Sequence, residues 1–297
     1  MNELNLDLLI AKDPLTPHIL DIVSQPESTH LILAGGFGIR IKSAFIREQG
    51  LQNRTLIPAI PVIRSTQDLD FFLNLDLWIE PNGSSKFRGM LERLGYSVIP
   101  SAKNYQFGKD QDPITKRWSV KIDLLSRIPN ENEQVKSDSR RVGTGHIHGR
   151  STPEAFAINE APLTISCCGN GTINNNNHTV VRIPHPYSFI NMKLMAAYDW
   201  YCSIKKGDGI KNNSEKHVYD VYVLVAMLVS EEVEVCRELS GKFKDLPIAV
   251  SIKEHAISLF GDPNDAGYRK VIELLKGTPS DYDTFWQGLQ TVLGLME

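Results

Sequence analysis

Two aspartates in STQDLDFFL, Asp68 and Asp70, stand two positions apart in a run with the composition and length of a β-strand. Alternate side chains of a strand project from one face, so the two carboxylates lie side by side. Like charges that close are unfavourable unless one protonates or a cation lies between them, and such an oxygen-rich pair suits Mg2+ or Mn2+. A third acid, Asp123, sits in the apolar run SVKIDLLS, where a charge needs a partner to offset its desolvation. If the two strands are neighbours, the three acids meet as a metal site. Such a site can hold two ions about 3.5 to 4 Å apart, one activating an attacking hydroxyl and one stabilising a leaving pyrophosphate. A DxD pair alone is ordinarily a solvated strand end, so more residues are needed to make this chemistry specific.

The segment AGGFGIR supplies them. Gly35 and Gly36 separate a short buried strand, Leu31 to Ala34, from an amphipathic helix, and glycines there let backbone N–H groups approach a phosphate at the positive helix terminus. Gly-Gly turns are common, and the order carries more weight than either piece: strand, diglycine, helix, DxD strand, then a later strand with a third Asp. Arg40, one turn after Gly36, reads either as a phosphate ligand or as a salt-bridged surface group. Arg64, Ser65 and Thr66 precede the DxD strand and either orient a base or metal water or cap the loop. His146 and His148 alternate as in some metal sites, but no third ligand stands nearby and a surface strand or loop fits them better. The aromatics of AYDWY and YDVY fall at helical spacing, which fits core packing, with nucleobase stacking as the alternative.

The positioning elements follow from periodicity. A helix is expected around Leu6 to Ser24, and KFRGMLERLGY has helical spacing with a Gly95 stop. The runs YSVIPSAKNYQFG and RWSVKIDLLSR read as strands joined by a polar turn, which makes the first half αβα-β-α-ββ. Pro58 and Pro61 mark LQNRTLIPAIPVIRST as an extended, insertion-like stretch. Residues 128 to 179 are polar and Asn-rich, and read as loops and short strands. From Pro186 onward apolar residues recur three and four apart, so the second half is mainly helical. The expectation is an α+β chain with two domains, residues 1–180 and 181–297.

The 297 residues are enough for two domains, and 41% hydrophobic with 23% charged content excludes pervasive disorder. A net charge of -3 excludes a basic protein that coats nucleic acid, so any such partner needs a local basic patch. No secretory signal and no apolar run of about 18 residues is visible, so a cytoplasmic location without membrane association is expected. The four cysteines, Cys167, Cys168, Cys202 and Cys236, form no CxxC pair and read as reduced.

With these residues in place, the sequence resembles the nucleotidyltransferase superfamily related to DNA polymerase β. Within it, the chain is most similar to the AbiEii-type toxin and abortive-infection nucleotidyltransferases. The resemblance runs through LILAGGFGIR, RSTQDLDFF, KIDLL, NMKLMAAYDW and KHVYDVYVLVAML. It implies a nucleotidyltransferase-type mixed sheet with flanking helices, followed by a helical domain. Gly35 and Gly36 would cradle the triphosphate, Asp68 and Asp70 would ligate metal, and Asp123 would complete the acidic set or act as base. Lys193 of MKLMAA would meet nucleotide phosphate, and Asp220 of HVYDVY matches the second acid of the family's last motif. Where the family usually has Arg-Asp this chain has Lys216 and His217, so the role of that acid does not carry over. The implied activity is transfer of a nucleoside monophosphate to RNA, to the end of tRNA or to a protein side chain, with an antitoxin protein as partner. The alternatives are a non-catalytic nucleotide-binding sensor or scaffold, and a small-molecule, antibiotic-modifying nucleotidyltransferase.

Overall fold

Residues 4–5, 13–51, 61–63, 66, 68–102, 104–143, 146–172, 177–206, 215–278 and 280–296 are described by a computed structural model. The chain divides into two units, one of Met1–Gln49 with Arg64–Pro184 and one of Gly50–Ile63 with His185–Glu297. Val62 thus groups with the second unit, where the Tyr219 hydroxyl donates to its carbonyl at 2.9 Å; positions 52–60 of the insertion-like stretch lie outside the described residues.

The first unit opens with β1 (Leu4–Asn5), α1 (Thr16–Val23), β2 (Leu31–Leu33) and α2 (Gly35–Gln49). There follow β3 (Asp68–Leu73), α3 (Asp76–Ile79), α4 (Gly83–Arg93), β4 (Ser97–Val98), β5 (Gln106–Gln111) and β6 (Trp118–Ser126). It ends with β7 (Arg141–Val142), β8 (Gly149–Ser151), β9 (Leu163–Gly169) and β10 (Asn177–Ile183). The main sheet runs β2-β3-β6-β5-β4, with β8 alongside the end of β6 and β7 beside β8. It is mixed: β3 and β8 run parallel to β6, whereas β2 against β3, β5 against β6 and β4 against β5 are antiparallel. A smaller sheet is ordered β1-β9-β10. The architecture is α+β with a mixed sheet.

Alternation gives the main sheet two unlike faces. Leu69, Phe71 and Leu73 of β3, Val120, Ile122 and Leu124 of β6, and Phe107 of β5 enter one apolar core. Phe37 and Ile41 of α2, Phe87 and Met90 of α4, and Ile165, Cys167, Val181 and Ile183 of β9 and β10 complete it. Asp68, Asp70, Lys121 and Asp123 occupy the intervening positions and stay half-buried. A β-strand with this period cannot bury one set without presenting the other on the opposite face.

The second unit holds α5 (Pro186–Lys205), α6 (Lys216–Ala226), α7 (Ser230–Lys242), α8 (Pro247–Phe260), α9 (Ala266–Leu275) and α10 (Tyr282–Leu293). Its core is aromatic in part, Phe285 lying 5.2 Å by ring centroid from both Tyr222 and Phe260. Among the described residues no helix is long and apolar enough to cross a membrane.

Three expectations need correction. The first helix starts at Thr16, where the Asp13 carboxylate accepts from the Leu15 amide at 2.9 Å; positions 6–12 of the expected helix lie outside the described residues. The run from Tyr96 to Gly108 is not one strand. Pro100 lacks an amide donor and opens a 3-10 turn, Pro100–Ala102, and Asn104 takes a positive φ of 68°, which separates β4 from β5. Within 128–179, β9 is a full seven-residue strand paired with β10, its Ile165 and Cys167 buried on one side.

Phe107, wholly buried in the central strand layer, tests the core assignment. Phe107→Ala is expected to cost about 3 to 5 kcal/mol in denaturant unfolding, and a loss below about 1 kcal/mol would contradict a core built on β5.

Candidate functional site

Hydrogen-bonded pairing of β3 with β6 fixes where the acids fall. Asp68 stands opposite Lys121, Leu69 opposite Ile122 and Asp70 opposite Asp123. Paired residues of parallel strands project to the same side, so Asp68, Asp70, Lys121 and Asp123 form one polar patch on the face away from the core. The Lys121 ammonium lies 3.8 Å from Asp68 Oδ1, with both side chains nearly half exposed.

The diglycine bend borders this patch. The Ala34 amide donates to the Asp70 carbonyl at 2.8 Å, which ties the end of β2 to β3. Gly35 has φ +62, and a Cβ built on it would fall 1.9 Å from Asp70 Oδ2. Only glycine satisfies both the left-handed backbone and that close approach. A Cβ on Gly36 would come 3.1 Å from Thr66 Cβ, a milder conflict. The Thr66 hydroxyl itself donates to the Asp68 carbonyl at 3.2 Å, a contact of the loop-capping kind, one of the two roles open to it. Arg64 and Ser65 lie outside the described residues.

Asp123 is half-buried. Burial pushes its carboxyl above the usual carboxylate range, a hydrogen bond from Gln106 and the nearby Arg150 pull the other way, and the charge of Asp68 pushes it up again. Gln106 on β5 is the register partner of Asp123 on its second side. Gln106, Lys121 and Arg150 are thus neighbours of the acids that the motif reading passed over. Lys121 had a signal, since it precedes Asp123 by two positions in SVKIDLL and must share its face. Arg150 had none, because β8 joins β6 through tertiary pairing, Leu125 with Arg150 and Ser126 with Ser151.

Other expected site residues have partners of their own. Arg40 forms an ion pair with Asp13, whose side chain is 4% exposed, so a phosphate role would require Arg40 to leave or share a buried partner. In the second unit Lys193 pairs with Asp220 at 2.8 Å, both side chains at most 10% exposed. His217 Nδ1 is 3.7 Å from Asp220 Oδ2, and burial, against the raising pull of Asp220 and with Lys193 adding to it, holds its imidazole below the usual range. A buried ion pair of this kind is costly to break from one side, so loss of Lys193 would destabilise the helical unit whatever else it does. His148 Nδ1 meets the Gly143 carbonyl at 2.9 Å, which fits a structural histidine. Cys167 and Cys236 are buried, and Cys168 and Cys202 are half-buried.

The donor set fits a divalent cation shared with a ligand better than one caged by protein. Among the described residues no three carboxylate, imidazole or thiolate groups come together as a metal-holding group. Mg2+, however, is ordinarily bound through one or two carboxylates together with substrate phosphates and water. Asp68 and Asp70, beside a bend whose glycine admits close approach, meet that requirement.

Two measurements follow. Gly35→Ala places a side chain in a left-handed conformation and against Asp70, so it is expected to lose at least about 1 to 2 kcal/mol in urea unfolding, clearly more than Gly36→Ala; equal losses would contradict the close approach. For Asp123, the native carboxyl binds a proton more readily than the unfolded one. Its charge therefore costs stability above the native pKa and nothing below the unfolded value of about 3.9. Asp123→Asn in chelator-treated protein is expected to raise the melting temperature at pH 7, with the gain shrinking as pH falls toward about 4. A variant less stable at pH 7 would contradict a desolvated charge.

No protein-family model matches the chain, and it matches no curated protein and no solved structure.

Proposed function

We propose that the chain is a metal-dependent nucleotidyltransferase that moves a nucleoside monophosphate from a triphosphate to a hydroxyl on RNA, on a tRNA end or on a protein side chain. The observation that carries the reading is the register of β3 on β6, which sets Asp70 opposite Asp123 with Asp68 on the same face beside the Gly35 bend. A bound Mg2+ or Mn2+ would supply Lewis acidity and neutralise triphosphate charge. Asp68 and Asp70 would hold it, and backbone amides at the start of α2 would face phosphate. The acceptor oxygen forms a bond to the α-phosphorus as the bond to the bridging oxygen breaks, and pyrophosphate leaves with the electron pair. The hydroxyl proton passes to Asp123, whose raised carboxyl suits a proton acceptor. Lys193, which already holds Asp220, would meet phosphate only by giving up or sharing that partner.

The resemblance to AbiEii-type proteins supports the further proposal that the activity is a toxin's, restrained in the cytoplasm by an antitoxin protein. One observation favours a second reading, a non-catalytic nucleotide sensor or scaffold: the absence, among the described residues, of a preformed metal-holding group. That reading expects saturable triphosphate binding without pyrophosphate release.

Incubation of the full chain with each radiolabelled triphosphate, Mg2+ and total RNA separates them. Labelled RNA is expected, falling at least about a hundredfold in Asp68→Asn and in Asp70→Asn while circular dichroism stays unchanged. Equal labelling by either variant would overturn the site. A parallel incubation with aminoglycosides gives label there instead if the acceptor is a small molecule.

A further inference from the structure

Lys121 is not part of the metal and phosphate constellation described above, yet it stands inside the acidic patch. It is opposite Asp68 in register and two positions from Asp123 on the same strand face. Its ammonium is 3.8 Å from Asp68 Oδ1, and its charge acts on Asp123 as well as on Asp68. Both partners of the pair are exposed to a similar degree, 44% for Lys121 and 45% for Asp68. A pair so open to water is weak, and one partner is readily exchanged for another. Lys has a compact charge on a flexible stem, so its ammonium can move several ångströms without disturbing β6.

Resting on the nucleotidyltransferase reading, we infer that Lys121 is a built-in counter-ion that holds Asp68 in the metal-free protein and is displaced onto triphosphate when a divalent cation takes its place. The exchange has two consequences of opposite sign. Removing the ammonium frees Asp68 and removes a repelling charge, so a metal ion binds more tightly. It also removes a cation that would pair with phosphate, so triphosphate binds more weakly. A purely structural lysine on an exposed strand position would do neither.

The probes are Mn2+ alone, followed by loss of the free-ion electron paramagnetic resonance signal, and an α,β-methylene triphosphate, followed by calorimetry in the presence of saturating Mg2+. Lys121→Gln is expected to bind Mn2+ about fivefold more tightly and the triphosphate about fivefold more weakly, and Lys121→Arg to stay near the parent protein in both. Unchanged or weaker Mn2+ binding in Lys121→Gln, with Mn2+ binding intact in the parent protein, overturns the exchange alone. Absence of any Mn2+ binding lost on Asp68→Asn overturns both the exchange and the reading beneath it.

Discussion

An aspartate facing an aspartate across two parallel strands is the constraint around which the first unit is arranged. Like charges directly opposite one another destabilise a sheet, so the pairing of Asp70 with Asp123 does not arise from the acids themselves. It is imposed from the other face. Leu69, Ile122 and Phe107 are each fully buried in one core, and a slip of a single residue would turn them to water and the carboxylates inward. Apolar packing on the other face thus sets which acids stand side by side.

Several neighbours of the acids act on their charge. Lys121 lies beside Asp68, Gln106 donates to Asp123, and Arg150 contributes at longer range. Gly35 brings the turn after β2 against Asp70 more closely than any other residue type would permit. The result is a face where acids, a backbone bend and a half-exposed ammonium stand together, which the proposed handling of a triphosphate with a shared metal would use.

Much of this was legible in the sequence because it is periodic. The alternation in DLDFFL and SVKIDLLS places Asp68 with Asp70, and Lys121 with Asp123, before any tertiary contact is known. The adjacency and register of β3 and β6 were not legible, since strand neighbours are chosen by long-range packing. The partner of Arg40 is a similar case, Asp13 being far away in sequence and near only in the fold. The pair β9 and β10 was masked by the Asn-rich stretch between them, although Ile165 and Cys167 already alternate with polar residues. Lys193 and Asp220 each stood out by resemblance, but their mutual ion pair belongs to helix packing in the second unit.

The proposed role of the face of Asp68, Asp70 and Asp123 is to receive a metal-bound triphosphate. Its most direct test is a crystal structure grown with Mn2+ and a non-hydrolysable triphosphate, with anomalous diffraction measured to locate the metal. The account expects an anomalous peak about 2 to 2.3 Å from carboxylate oxygens of both Asp68 and Asp70, with phosphate against the Gly35–Gly36 turn. A well-occupied nucleotide with manganese elsewhere in the molecule, or bound away from that turn, would contradict it.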